Sequence, residues 1–223
     1  MANPTWDDAL VQQITQRVVA RLRAAQPAAD SAAKCMVPVN ISVRHIHLCR
    51  EDLDVLYGPG FDLEPRNPLY QPDTYAAKQV VTLVGPRMRC LGEVRVLGPM
   101  RKATQVEISR TDAIFLGVDP PVRPSGTLDG SEKLILVGPS GVVHLKQGVI
   151  LANRHIHLHP TTADRFGIKD NDYRSVRVHT HKKTVFEDVQ IRVNREFKDE
   201  MHVDTDDGNA CGIRGGELVE ILV

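Results

Sequence analysis

Residues Ser42–Arg50 read SVRHIHLCR, and residues Ala152–Pro160 read ANRHIHLHP. The phrase RHIHL is therefore spelled twice in a chain that has only nine histidines. Side chains on a strand alternate faces, so His45 and His47 share one side and Ile46 takes the other. The same holds for His155 and His157 around Ile156. Two imidazoles about 7 Å apart along a strand can reach one ion. Zinc accepts neutral imidazole nitrogen and takes about four ligands. One HxH pair is a weak signal, because surface strands carry such pairs by chance. Two copies in matching context point to a metal.

Around the two phrases the texture is that of a β protein. MVPVNISVRHIHL, KQVVTLVG, CLGEVRVLGP, KATQVEIS, KLILVGPSGVVHL, GVILANRHIHL, SVRVHTHKKTVFEDVQIRV, EMHVDTD and ELVEILV are short β-branched runs separated by Gly and Pro breakers. LVGPR, VLGPM and LVGPS look like three strand exits of one kind. REDLDVLYG and TTADRFG are helix-sized, follow one RHIHL copy each, and end in Gly. Strand, RHIHL, short helix and Gly thus recur as a unit. The repeat predicts a mainly β protein with two similar small barrels capped by short helices and related by internal duplication.

Composition narrows the function classes. Lys plus Arg and Asp plus Glu balance at 28 each, so no global field favours nucleic acid. No apolar run approaches the roughly 20 residues that span a bilayer, and no membrane partner is expected. The start, MANPTWDDAL, lacks a basic end and an apolar core, so a secretory signal is not expected. Cys35, Cys49, Cys90 and Cys211 form no CxxC pair, which fits free thiols in a reducing, cytoplasmic setting. TWDDALVQQITQRVVARLRAA places Leu10, Ile14, Val18 and Leu22 four apart, as one apolar stripe on a helix. Thr5 and Asp8 can form its capping box. QPAADSAAK then reads as a flexible linker. Such a tethered stripe either docks on its own body or a dimer mate, or serves as an address for a partner protein.

Each HxH pair needs further ligands. His202, in EMHVDTDDGNACG, ends a strand before an acidic, Gly-rich turn. Glu107 is a lone carboxylate in TQVEIS; alternation puts it with Gln105 and Ser109 on a polar side, so solvent exposure is as good a reading as ligation. His179 and His181 in VHTHKK lie beside lysines that would repel a cation, and they read as an exposed hairpin. His159 precedes Pro160 at a helix start and reads as part of a cap. Arg101 and Lys102 follow a Gly-Pro turn, and Arg123, Ser125 and Gly126 share a tight loop. Arg can fork two phosphate oxygens, and a Ser hydroxyl with a Gly N–H can add donors. Ordinary surface turns remain the alternative. Neither loop is a Walker motif.

NISVRHIHLCREDLDVLYG, GPMRKATQVEISRTDAIFLGV, PVRPSGTLDGSEKLILVGPSG, GVILANRHIHLHPTTADRFGI and MHVDTDDGNACG together resemble the phosphate propanoyltransferase family, the PduL-type phosphotransacylases of bacterial microcompartments. The likeness runs from about Val37 to the C-terminus. It implies two β-barrels that exchange an N-terminal strand. Residues 35–44 with 153–223 form one barrel, 45–152 the other, and 1–34 an encapsulation-peptide-like helix and linker. It implies reversible conversion of acyl-CoA plus phosphate to acyl phosphate plus CoA, by direct phosphate attack on the thioester. Two zinc ions, or other divalent metals, sit where the barrels meet: one on His45, His47 and Glu107, the other on His155, His157 and His202. Arg101 and Ser125 position phosphate, with Arg101 catalytic. Ser42, Arg95, Leu97, His202 and Asn209 lie along the CoA. The resemblance also implies a homodimer or larger assembly inside a bacterial microcompartment of the kind that degrades propanediol, with residues 5–24 meeting shell or cargo proteins. The chain departs from the family pattern at Asn67, where lysine is common, which puts one CoA phosphate contact in doubt. It departs again at Gly208, where alanine is usual. A zinc-dependent acyl-thioester hydrolase and a non-catalytic, zinc-stabilised compartment component are the competing readings. An acyl-enzyme on Cys49 or Cys211 is disfavoured, since no dedicated base is identifiable beside either.

Overall fold

The computed structural model describes residues 34–223, together with Gln12 and Thr15–Arg17, which are helical. The apolar stripe, the capping box and the linker expected near the N-terminus lie outside the described residues. Residues Cys35–Val223 form one compact unit.

The unit holds two closed six-stranded rings. The first runs β1 (Cys35–Ser42), β13 (Glu200–Asp204), β10 (His155–Leu158), β12 (Thr184–Val193), β11 (Tyr173–Val178) and β14 (Glu217–Ile221). The second runs β4 (Tyr75–Val84), β5 (Cys90–Gly98), β2 (His45–His47), β6 (Gln105–Glu107), β9 (Val142–Ala152) and β8 (Glu132–Val137), which pairs back to β4. Short strands β3 (Pro65–Pro68) and β7 (Val122–Arg123) flank it. The architecture is the mainly β, two-barrel one that the repeated phrase predicts.

The two rings share one cyclic order of pairings. From β10 the steps are parallel to β12, antiparallel to β11, β14 and β1, parallel to β13 and antiparallel home. From β2 they are parallel to β5, antiparallel to β4, β8 and β9, parallel to β6 and antiparallel home. In this order β1 fills the place that β9 fills in the other ring. The N-terminal strand therefore closes the C-terminal barrel, as the expected strand exchange requires.

Each barrel has its own apolar core. Ile156 and Leu158 belong to one, Ile46 and Leu48 to the other, and all four are fully buried. The central Ile of each HIH phrase thus points inward, and alternation turns both histidines away from that core. Four short helices follow the strands: Arg50–Tyr57, Arg110–Leu116, Pro160–Phe166 and Thr205–Cys211. Ser109 and Asp112 form a capping box at the second. His159 caps the third by accepting the Thr161 N–H, so its cap reading stands. Two of the Gly-Pro exits have a packing reason. A Cβ on Gly85 would lie 2.0 Å from the Leu116 carbonyl oxygen, and one on Gly138 2.4 Å from that of Leu56. Only glycine lets these strand ends touch the helix ends.

Candidate active site

The histidine strands present two clusters. In one, ligand atoms of His45, His47 and Glu107 lie within 4.8 Å of one another; in the other, those of His155, His157 and His202 do. Pairing register builds both. His45 stands opposite Glu107 on the antiparallel neighbour, and His155 stands opposite His202. Glu107 holds in one barrel the place that His202 holds in the other. The exposed reading of Glu107 is overturned: it is 8% exposed, and its strand is buried on both faces.

Local hydrogen bonds fix the rings. His45 Nδ1 lies 2.9 Å from the Val43 carbonyl, and His155 Nδ1 lies 3.0 Å from that of Asn153. A carbonyl only accepts, so each Nδ1 carries a proton and each Nε2 keeps a lone pair in the neutral ring. Burial and the neighbouring His45 lower His47 to about 3. Burial and His202 lower His155 to about 4, and burial with His155 and His202 lowers His157 to about 3. These three imidazoles are neutral donors at neutral pH. Burial would lower His45 too, but the Glu107 carboxylate, 3.5 Å from its Nε2, raises it instead. Burial opposes the charge on Glu107, and the adjacent His45 outweighs that and lowers its pKa.

The residues fit a bound metal. His47 Nδ1 and both ring nitrogens of His157 are buried without a hydrogen-bond partner. Orphaned buried nitrogens are costly, and a cation would satisfy them. Three N/O donors per cluster leave room for an exchangeable fourth position, the pattern of catalytic zinc.

Further side chains hold each cluster. Ser125 Oγ donates to Glu107 at 3.0 Å and accepts from Arg101 Nη1 at 3.1 Å and from Gln105 Nε2 at 2.8 Å. The Gly126 N–H donates to Gln105 Oε1 at 2.8 Å. The loop with Arg123, Ser125 and Gly126 is thus tied to the first cluster. In the second, His202 Nε2 lies 2.8 Å from Glu200. Two equivalent ion pairs brace the turns before the histidines: Arg44 to Asp112, and Arg154 to Asp207. The clusters meet at the seam of the barrels, where Ser42, Glu107, Asn153, His155, His202 and Asp204 line a small cavity. The Thr111 N–H donates to Asp206 across the same seam at 2.8 Å.

The structure gathers Arg101, Ser125 and Glu107 into one chain of contacts, and Ser42 with His202 on the cavity. Arg95, Leu97 and Asn209 are not among that cavity's lining residues. Arg95 stands opposite His45, but its Nη1 donates to the carbonyls of Ala77 and Lys78. Asn209 sits exposed on the Thr205–Cys211 helix. His179 pairs with Glu220 on the outside of its barrel. The Cys49 thiol is buried, accepts from Thr104, and is pushed up by that burial, which suits a packed structural thiol better than a nucleophile.

Sequence reasoning missed three residues here. Gln105 faces His47 in register, and Glu200 faces His157. The signal was present: QVE and EMH repeat a polar i, i+2 pair on antiparallel neighbours of the two HIH strands. Arg192 stands opposite His157 on β12, and its charge acts on His155, His157 and Arg101. Nothing local in QIRV marks it.

A family model described as phosphate propanoyltransferase matches residues 38–214. A phosphate propanoyltransferase of Thermotoga maritima is 51% identical over 185 residues, 82% of this chain and 88% of that protein. One of Lachnoclostridium phytofermentans is 44% identical over 216 residues, 97% of this chain and 100% of that protein. One of Rhodobacter capsulatus is 44% identical over 210 residues, 94% and 97% of the two chains.

Proposed function

The chain belongs to the phosphate propanoyltransferase family, and we propose on that premise that it converts a short acyl-CoA plus phosphate to acyl phosphate plus CoA, reversibly, at the seam of its barrels. It is an acyltransferase, with CoA as substrate or product. The observation that carries the site is the pair of three-donor clusters beside one cavity. His45, His47 and Glu107 would hold one divalent ion, and His155, His157 and His202 the other, zinc being the best fit to this donor set. Such ions, when bound, would polarise oxygen and neutralise negative charge.

The protein's own groups do the rest. Arg101, anchored by Ser125, and Arg192 from the opposite barrel bind and orient the phosphate dianion. Ser42 and His202 on the cavity take the CoA side, and Arg95, Leu97 and Asn209 complete the CoA path. A phosphate oxygen attacks the thioester carbonyl carbon. A carbon–oxygen bond forms, the carbon–sulfur bond breaks, and CoA leaves as the thiolate. Holding both reactants in line is worth roughly 7–11 kcal/mol when the attack geometry is right. No acyl-enzyme is needed, and the raised thiol of Cys49 supports direct attack. Propanoyl and acetyl differ by one methylene, worth only ~1–3 kcal/mol of discrimination.

Ahead of the barrels in the sequence, the stripe of Leu10, Ile14, Val18 and Leu22 serves as an address to a microcompartment shell or its cargo, and the barrels assemble as a homodimer or larger. The family match starts only at residue 38, which supports a separate role for the N-terminal segment. The test of the reaction is CoA release from propanoyl-CoA with and without phosphate, with acyl phosphate trapped as hydroxamate. Release that needs phosphate and yields hydroxamate is expected. Equal release without phosphate would make the protein a thioester hydrolase.

A further inference from the structure

Glu200 is 2% exposed, yet it carries a full set of polar neighbours. Its Oε1 accepts from Asn40 Nδ2 at 2.6 Å, and its Oε2 accepts from Gln71 Nε2 at 2.8 Å and contacts His202 Nε2 at 2.8 Å. Gln71 comes from the other barrel and is itself held by Lys198: its Nε2 donates to the Lys198 carbonyl at 2.9 Å, and its Oε1 accepts the Lys198 N–H at 3.2 Å. Asn40 lies on β1, the strand exchanged into this barrel. Both amides present N–H to the carboxylate, so its oxygens are acceptors, and His202 must donate through Nε2. The lone pair of His202 is then on Nδ1. This reverses His45 and His155, whose Nδ1 donate to backbone carbonyls and leave Nε2 free.

Register adds a second argument. Glu200 faces His157 as Gln105 faces His47, and His202 faces His155 as Glu107 faces His45. One barrel therefore spells Gln-x-Glu where the other spells Glu-x-His. Each carries one carboxylate, but at exchanged places. With neutral imidazoles, both half-sites have the same formal charge of about minus one, since each holds a single ionised carboxylate.

We propose that Glu200 is the positioning residue of the second metal site: it fixes His202 as an Nδ1 ligand and supplies from behind the charge that Glu107 supplies directly to the first ion. The proposal rests on the two-metal reading above. A carboxylate behind a ligating imidazole orients the ring and raises its basicity, and losing one costs ~10–100-fold in metal affinity. In Glu200→Gln the side chain offers one acceptor and one NH₂. At the Oε2 place the NH₂ opposes the Gln71 donor and pushes the His202 ring proton to Nδ1; at the Oε1 place it opposes the Asn40 donor. The first placement spoils the ligand, and both remove the negative charge behind the ring.

The test uses the full chain loaded with zinc. Competition against a chromophoric chelator counts the ions and their affinities, and a long-range ¹H–¹⁵N spectrum reads each ring's tautomer. Wild type is expected to hold two ions, with His202 protonated at Nε2 and His45 and His155 at Nδ1. Glu200→Gln should weaken one ion ~10–100-fold and spare the other. His202→Ala should lose that same ion. Gln71→Leu, which keeps the carboxylate and removes its clamp, should weaken it less, and it decides the matter if Glu200→Gln does not fold. Two ions in wild type with unchanged affinity in Glu200→Gln, or His202 protonated at Nδ1, would overturn this inference and leave the metal reading intact. A wild type that binds no zinc would overturn both.

Discussion

Arg192 offers a sharp test of how the seam handles anions. It approaches from β12 opposite His157, whereas Arg101 comes from the other barrel. The substitution suggested by the ring comparison is Arg192→Leu. Leu97 follows Val96, which pairs with Ile46, and so stands beside His47 as Arg192 stands beside His157. A hydrogen bond to a charged group contributes ~1.5–3 kcal/mol. At ~1.4 kcal/mol per factor of ten, kcat/KM for phosphate should fall roughly 10–150-fold. The effect on the metals has the opposite sign. Burial and the neighbouring histidines lower the pKa of His155 and His157, and the positive charge of Arg192 adds a smaller part, so its removal should not weaken a cation there. The assay is thiol release from propanoyl-CoA at varied phosphate, run beside metal content. The expected pattern is a loss in phosphate kcat/KM with two ions retained. A rate within twofold of wild type, or a loss that tracks missing metal, would refute the assignment of Arg192 to phosphate.

Other outcomes follow from the packing. Gly138→Ala and Gly85→Ala force a Cβ against the carbonyls of Leu56 and Leu116, and each should lower stability by ~1–3 kcal/mol in urea unfolding. Arg44→Met strands Asp112, whose side chain is 5% exposed, and should cost about 2–4 kcal/mol. Arg154→Met leaves Asp207, 23% exposed, and should cost only about 1 kcal/mol. The reverse ranking in denaturation midpoints would contradict the burial argument. Burial, reinforced by Asp199, lifts the Cys35 thiol from 9.0 to about 11. Between those pH values the folded chain keeps a proton that the unfolded chain releases, so stability falls as pH rises, by ~1.4 kcal/mol per unit at most. Cys35→Ala should show a shallower decline over that window, whatever its own cost in packing.

Periodicity carried the sequence reading a long way. The repeated HIH phrase marks both strands whose pairing neighbours complete the clusters, and the Gly-Pro exits mark strand ends seated on helices. Periodicity failed where both faces of a strand are covered. Glu107 looked free to face water because alternation separates two faces without saying that either is wet. β6 lies between β2 and β9 at the seam, and its residues are buried on both sides. Arg192 was out of reach for a different reason. It gains its meaning from a cross-strand partner far along the chain, and no local spacing records that. Strand exchange was likewise legible only through family resemblance, because the parallel pairing of β1 with β13 joins opposite ends of the sequence.

The most direct measurement is zinc titration into chelator-stripped, folded protein, with phosphate-dependent CoA release followed at each step. The account expects two ions per chain and activity that returns as they bind. Full activity in the stripped protein, or no uptake of zinc by a chain that retains both barrels, would contradict it.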